Sequence, residues 1–195
     1  MSSGKTNEDK IATAQQLKEE GNSFVKQQDY GKALLAYHKA WLYVKGLGDD
    51  GSGGKFAMMR KNSGQEALSS GQTSEIKAIS LALHLNMALC HFKQDKFDRV
   101  IDDCNKALQL EPSSVKALFR RGQAYLKLRD SDKAAVDLNK AAQLDPSDKA
   151  IQLEIRRLKQ FEKAQSDKQK KALAGLFDRM SAEEEKPPAT SSAQQ

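Results

Sequence analysis

The chain has 195 residues, of which 38% are apolar and 30% are charged, and its formal net charge is +6. This composition is typical of a helical repeat, which exposes much surface, and so mild a positive charge does not require a nucleic-acid or membrane partner. No apolar run approaches the roughly 18 residues that span a bilayer, the first residues are too polar for a secretory signal, and two cysteines make no disulfide framework. We therefore expect a cytoplasmic protein with no membrane span and no nucleic-acid partner.

The first predicted helix pair is residues 14–47, and it follows residues 1–9, which are polar and expected to be disordered. Small residues are expected where the two helices of a pair approach closely, and large residues where successive pairs meet. The small residues are Gly21, Ala33 and Ala40, and the large ones are Phe24 and Tyr37.

A glycine-rich insert at 48–80 separates the first pair from the second. Seven of the twelve glycines lie between Gly46 and Gly71, which predicts a flexible surface loop. The end of the insert has helical character, and Thr73 or Ser74 is expected to cap the helix that follows. The alternative is a docking segment that uses apolar residues of the loop. Those residues are Phe56, Met58 and Met59.

The second and third pairs, at 81–114 and 115–148, repeat one pattern. The run CNKALQLEPSS at 104–114 aligns with LNKAAQLDPSD at 138–148, and the matching residues are 34 apart. A period of 34, with a small residue early and Ala and Pro late, is the tetratricopeptide pattern. Each unit is then two antiparallel helices, with Pro after the second because Pro cannot continue a helix.

Residues 149–180 are expected to form a long helix that caps the stack. Their apolar residues follow a helical period, and a repeat array needs its last exposed face covered. The polar tail at 181–195 is expected to be disordered. The sequence thus predicts an all-α domain at 10–180, in which three tetratricopeptide helix-turn-helix repeats form a right-handed superhelix with a long C-terminal capping helix.

The sequence offers no catalytic set, so we expect no enzyme, no cofactor and no metal. His84 and His91 are seven residues apart and have neither the spacing nor the acidic company of a metal site. Cys90 and Cys104 fall at positions that usually face the packed interior, and we expect both to be buried and unreactive.

The first helices of the three pairs carry the residues that point to a binding site. Lys and Asn in the first pair, and Lys and Arg in the third, are four apart and so share one helix face. These helices line the concave groove of a tetratricopeptide array, where three cations and two amides would favour an anion. The candidates are Lys18, Asn22, Asn86, Lys116 and Arg120.

The runs LKEEGNSFVKQQDYGKAL, LHLNMALCHFK and VKALFRRGQAYLKL closely resemble the carboxylate-clamp tetratricopeptide domains of heat-shock chaperone partners, over about residues 14–180. In that family, five groove residues grip the two carboxylates of the terminal Asp in a Glu-Glu-Val-Asp tail, and all five are present here. The resemblance implies a protein–protein interaction adaptor, or co-chaperone, that binds the EEVD-type C-terminal peptide of heat-shock protein 90 or 70. Lys93 is a secondary candidate, for the acidic part of the peptide upstream.

Two subfamilies share further features with the chain. LFRRGQAYLKL and KKALAGLFDRMSAEEE resemble the tetratricopeptide half of large immunophilins, and AYHKAWLYVKGL before a long insert resembles tetratricopeptide repeat protein 9. Only about ten residues precede the repeats, so we expect no isomerase activity.

Two alternative functions remain open at this point. The first is a tetratricopeptide scaffold that binds an internal peptide of another partner. The second is binding of calmodulin or another acidic surface through residues 155–180, because residues 149–171 hold eight Lys or Arg against three Asp or Glu.

Overall fold

The computed structural model describes residues 6–45, 47 and 68–184. In chain order the helices are α1 (Asn7–Lys26), α2 (Tyr30–Lys45), α3 (Ser70–Lys93), α4 (Phe97–Leu110), α5 (Val115–Lys127), α6 (Ser131–Leu144) and α7 (Lys149–Glu184). In this part of the chain, no helix is apolar over a length that could cross a bilayer. The three apolar residues suggested as a docking segment, Phe56, Met58 and Met59, lie outside the described residues.

The helices pack in sequence order, first into pairs and then into a stack. α1 packs on α2, α3 on α4 and α5 on α6, and successive pairs meet through α2 and α3, α4 and α5, and α6 and α7. The odd-numbered helices also touch one another, α1 with α3, α3 with α5 and α5 with α7. They form one continuous layer, which carries every candidate groove residue. The all-α repeat architecture predicted from the sequence is confirmed.

Two glycines allow the paired helices to approach closely. A Cβ atom at Gly21 would overlap the ring of Tyr37, and a Cβ atom at Gly122 would lie 2.8 Å from Leu138 Cγ. The side chains of Tyr37 and Leu138 are almost fully buried. Small residues opposite large ones therefore set the distance between the helices of a pair, as in any close-packed interior.

The turn inside each pair has the same backbone geometry. Gln28, Asp95 and Arg129 have φ angles of 60°, 56° and 63°, in the left-handed region that residues other than glycine seldom adopt. Asp95 and Arg129 are separated by one repeat period, and Gln28 and Asp95 by one period plus the insert. Equal geometry at these intervals indicates that the three pairs are copies of one structural unit.

The predicted disorder at the N-terminus is wrong for its last residues, because α1 begins earlier than expected. Asp9 N donates to Thr6 Oγ1 at 3.1 Å, and Thr6 N donates to Asp9 Oδ2 at 3.0 Å. This reciprocal capping box satisfies backbone donors that have no partner within the helix, and it fixes the helix start at Asn7.

Two other predicted boundaries also need correction. α3 begins at Ser70 because Ser69 and Gln72 form a second capping box, so Thr73 and Ser74 lie inside the helix and cap nothing. At the other end, α7 continues beyond the predicted end of the capping helix, and residues 181–184 are helical rather than disordered.

Candidate carboxylate-binding groove

Arg120 places a guanidinium between α5 and α3. Its Nη1 donates a hydrogen bond of 2.8 Å to the backbone carbonyl of Leu85. Burial lowers the pKa of Arg120, although a guanidinium stays charged in proteins. No carboxylate of the described residues forms an ion pair with it. Because a guanidinium has five N–H donors, Arg120 retains both a charge and donors for an anion.

The neighbouring Arg121 differs, because the protein itself neutralises it. Arg121 Nε and Nη2 each donate to the carboxylate of Asp137 at 2.7 Å, and Nη1 donates to Asn105 Oδ1 at 2.6 Å. Asp137 is 2% exposed. This bidentate pair joins α5 to α6 and α4, so Arg121 has a structural role.

Asn22 and Asn86 are in direct contact between α1 and α3. Asn86 Nδ2 donates to Asn22 Oδ1 at 3.0 Å, and the hydroxyl of Tyr37 donates to the same oxygen at 2.8 Å. Burial raises the pKa of Tyr37 to about 12, so this hydroxyl keeps its proton at neutral pH. Because both lone pairs of Asn22 Oδ1 are used, the amide is fixed with Nδ2 as the group that can donate to an anion.

Lys18 lies one turn before Asn22 on α1, and both side chains contact Glu19. Glu19 Oε1 is 3.2 Å from Lys18 Nζ, and Glu19 Oε2 accepts a hydrogen bond from Asn22 Nδ2 at 3.1 Å. The hydrogen bond from Asn22, followed by the interaction with Lys18, lowers the pKa of Glu19. A carboxylate of the chain itself thus bridges two of the candidate residues.

Lys116 and Lys93 are exposed ammonium groups on the same helical layer. Lys116 lies one turn before Arg120 on α5, and Lys93 lies two turns after Asn86 on α3. Within the described residues, neither lysine takes part in an ion pair. Three of the six predicted residues therefore lie together on α1 and α3, namely Lys18, Asn22 and Asn86. A fourth, Arg120, is hydrogen-bonded from α5 to the backbone of α3.

A cleft of about 490 Å³ continues this layer between α3, α5 and α7. It contains the largely buried carboxylate of Glu154, which accepts hydrogen bonds from Gln123 Nε2 at 2.9 Å and from Arg157 Nη1 at 2.7 Å. Apolar side chains complete its walls. They are Phe92, Leu126 and Phe161.

The sequence analysis missed this cleft, although α5 carries a signal for it. Positions 116, 120, 123 and 127 are spaced by four, three and four residues, so one face of α5 runs from the candidate residues into the cleft. No such signal exists for the α7 side of the cleft, because the capping helix lies outside the repeats and the 34-residue period does not predict its orientation.

The interior of the second pair holds a histidine–aspartate cluster. Asp103 Oδ2 is 2.9 Å from His91 Nδ1, and Asp103 Oδ1 is 3.6 Å from His84 Nδ1. Burial acts to raise the pKa of Asp103, but the two imidazoles outweigh burial and lower it. Across the described ranges, no group of three or more His, Cys, Asp or Glu side chains is arranged to hold a metal ion. The cluster instead ties α3 to α4.

The two cysteines are packed in the core, as predicted. Cys90 and Cys104 are both buried. Burial raises the pKa of Cys90 to about 11 and that of Cys104 to about 12. Both thiols are therefore protonated at neutral pH and are poor nucleophiles.

Comparisons with known proteins agree with the helical repeat fold. The tetratricopeptide repeat model matches residues 82–114 and 115–148. The peptidyl-prolyl cis-trans isomerase FKBP4 of Bos taurus is 34% identical over 191 residues, which are 96% of this chain and 37% of that relative.

Solved structures of similar fold include two tetratricopeptide domains. The C-terminal domain of an FK506-binding protein of Plasmodium falciparum is 26% identical, with a TM-score of 0.64 over 82% of this chain and 97% of that chain. The first tetratricopeptide domain of Spaghetti (RPAP3), bound to the HSP90 peptide SRMEEVD, is 26% identical, with a TM-score of 0.56 over 76% of this chain and 92% of that chain.

The chain is therefore a helical repeat protein that contains tetratricopeptide repeats. More specifically, it is homologous to the tetratricopeptide half of large immunophilins of the FKBP4 type, and it is structurally similar to tetratricopeptide domains of heat-shock co-chaperones. It spans little more than a third of the length of the curated FKBP4 relative.

Proposed function

We propose that the chain is a co-chaperone adaptor that binds the EEVD-type C-terminal tail of heat-shock protein 90 or 70 across its odd-numbered helices. The observation that carries this proposal is the guanidinium of Arg120, whose hydrogen-bond partner is a backbone carbonyl rather than a carboxylate. A cation withdrawn from water is costly unless an anion compensates for the lost hydration. The terminal carboxylate of a peptide is such an anion, and its capture is a recurring recognition mode. The solved complex of the Spaghetti domain with SRMEEVD supports the assignment.

A terminal Asp has two carboxylates, and the groove has two sets of residues for them. The α5 set, Lys116 and Arg120, takes one carboxylate, and the α1–α3 set, Lys18, Asn22 and Asn86, takes the other. Hydrogen bonds from cations to carboxylates are about twice as strong as neutral ones. Because desolvation offsets part of this gain, a short peptide should bind with a dissociation constant of roughly 1 μM.

The adaptor is a non-enzymatic binding module of the cytoplasm. The similarity to an isomerase covers 37% of that relative, and the proposal assigns the groove to binding. Lys93 lies further along α3, where it would meet the acidic residues upstream of the terminal Asp.

Calorimetric titration of the full chain with acetylated MEEVD tests this function. We expect binding near 1 μM, no binding of the same peptide with an amidated C-terminus, and about tenfold weaker binding by Lys116→Ala, since a hydrogen bond to a charged group is lost. Lys140→Ala on α6 is the matched control, because it removes an exposed lysine from a helix outside the layer and should leave affinity unchanged.

Two results would contradict the proposal. Absence of binding by folded protein would refute an EEVD-type ligand. Equal binding of the free and the amidated peptide would favour a scaffold that recognises an internal segment of another partner.

A second candidate function is binding of calmodulin, or of another acidic surface, through residues 155–180. The observation in its favour is a half-exposed apolar stripe in the last turns of the basic helix α7, spaced by three, one and three residues. The stripe consists of Leu173, Leu176, Phe177 and Met180. Calcium-dependent binding of calmodulin to the full chain, lost in Leu176→Asp, would establish it.

A further inference from the structure

Glu19 occupies, from within the chain, the place that the proposed function gives to a ligand. Its two oxygens contact Lys18 Nζ at 3.2 Å and Asn22 Nδ2 at 3.1 Å. These atoms are the two donors that α1 contributes to the α1–α3 set. We propose that Glu19 is a specificity-determining residue, an inference that rests on the proposed function. Glu19 is an internal carboxylate that fills this half of the groove, and the ligand must displace it.

The orientation of Asn22 places a ligand carboxylate next to Glu19. The hydroxyl of Tyr37 and the amide of Asn86 both donate to Asn22 Oδ1, so Asn22 cannot turn to offer Nδ2 in another direction without losing both bonds. A ligand carboxylate at Asn22 Nδ2 would therefore stand beside Glu19. Two carboxylates held at one site repel each other.

Glu19 is the more exposed partner of its pair with Lys18. The side chain of Glu19 is 67% exposed, whereas that of Lys18 is 25% exposed. The Glu19 side chain makes two close contacts, with Lys18 and Asn22, and Lys26 attracts it at longer range. It can therefore turn into solvent while Asn22, held by Tyr37 and Asn86, stays in place. Its lowered pKa, caused by Asn22 and then by Lys18, should return toward the ordinary value of 4.5 when it leaves.

The exchange determines which ligands bind well. A ligand carboxylate that replaces Glu19 gains little, because a similar interaction is lost. Net affinity must then come from the α5 set, whose two cations form no ion pair with a carboxylate of the described residues. Glu19 thus selects for peptides with two carboxylates at the C-terminus, since specificity is a difference between affinities and a competing group contributes to it.

Glu19→Gln and Glu20→Gln test the inference as a matched pair. Both remove one negative charge from α1, but Glu20 points away from Asn22 by helical spacing and has no contact with Lys18 or Asn22. In titrations of the full chain with acetylated MEEVD, Glu19→Gln should bind about two- to fivefold more tightly than Glu20→Gln, the range that exposed ion pairs reach in double-mutant cycles. Carbon-detected NMR of the Glu19 carboxyl should show titration below pH 4.5 in the free protein and nearer to 4.5 with peptide bound.

The outcomes separate this inference from the function on which it rests. If wild type does not bind MEEVD, both are wrong. If wild type binds and the two variants bind equally, or if Glu19 of the free protein titrates at 4.5 or above, the inference alone is overturned.

Discussion

Residues of the groove differ from their neighbours in whether their hydrogen-bond donors are already used within the protein. Arg121 gives its donors to Asp137 and Asn105, while Arg120 gives one donor to the carbonyl of Leu85. The two arginines are adjacent in sequence, but within the described residues only Arg121 is paired with a carboxylate. A cation whose partner is missing from the folded chain is the more informative one, because buried charges are otherwise paired.

The hydroxyl of Tyr37 leads to a prediction about how the groove is prepared for an anion. Tyr37→Phe keeps the ring that packs under Gly21 and removes the hydrogen bond to Asn22 Oδ1. We expect a loss of about 1 kcal/mol in the free energy of unfolding and a several-fold loss of MEEVD affinity, because the Asn22 amide is then held by one hydrogen bond instead of two. Urea denaturation and calorimetry measure the two effects.

A double-mutant cycle separates orientation of Asn22 from general stability. In an Asn22→Ala background, Tyr37→Phe should still lower stability slightly but should leave peptide affinity unchanged. An equal loss of affinity in both backgrounds would show that Tyr37 acts on the groove by another route.

The sequence predicted the residue types of the groove but not their environment. Lys18, Asn22 and Arg120 are visible from four-residue spacing and from the resemblance. The hydrogen bond from the hydroxyl of Tyr37 was not predicted, because the pattern assigns Tyr37 to packing. Whether its oxygen reaches a hydrogen-bond partner depends on the distance between α1 and α2. Glu19 was also missed, because an exposed Glu beside a Lys is common on any helix.

At the level of helices, the Asp103 cluster links α4 to α3 by charge as well as by apolar packing. The pKa of Asp103 is lowered in the folded protein, so its ionised form is the one that stabilises the fold. By linkage, this contribution is present above the ordinary carboxyl value of 3.8 and is lost as pH falls through the lower folded value.

Asp103→Asn should therefore destabilise the protein most at neutral pH. We expect a cost of about 2 kcal/mol in the free energy of unfolding at pH 7, since bonds to a charged group are lost, and a smaller difference from wild type below pH 3.8. Urea denaturation at a series of pH values measures this. Asp102→Asn, at the exposed neighbour, should change stability little at any pH. A difference that does not vary with pH would contradict the assigned role.

The presence of the helices was easier to predict than the residues at which they begin and end. The 34-residue period placed the pairs, because it reflects packing that every unit repeats. The start of α3 at Ser70 was missed, although Ser69 and Gln72 have the spacing of a capping box. That signal is local and lies in the insert, which the 34-residue period does not cover. The helix was therefore expected to begin later.

The whole molecule is a one-dimensional stack, and α7 closes one end of it. Its first half is anchored by Ile151 and Leu158, which are 0% and 3% exposed and pack against α5 and α6. Its second half carries exposed apolar residues from Leu173 to Met180. In such a stack, stability depends on contacts between neighbours, so the two halves of α7 should contribute very differently.

Two variants of α7 make this difference measurable. Leu158→Ala should cost about 2–4 kcal/mol in the free energy of unfolding, because it leaves a cavity against Leu138 and Ala134. A chain that ends at residue 170 should keep the stability of the full chain to within about 0.5 kcal/mol, since the described side chains between 171 and 180 are mostly exposed. Urea denaturation monitored by circular dichroism compares them, and MEEVD affinity of the shortened chain should be unchanged because the groove is intact. Strong destabilisation of the shortened chain would mean that the apolar stripe of α7 packs against the rest of the molecule in solution.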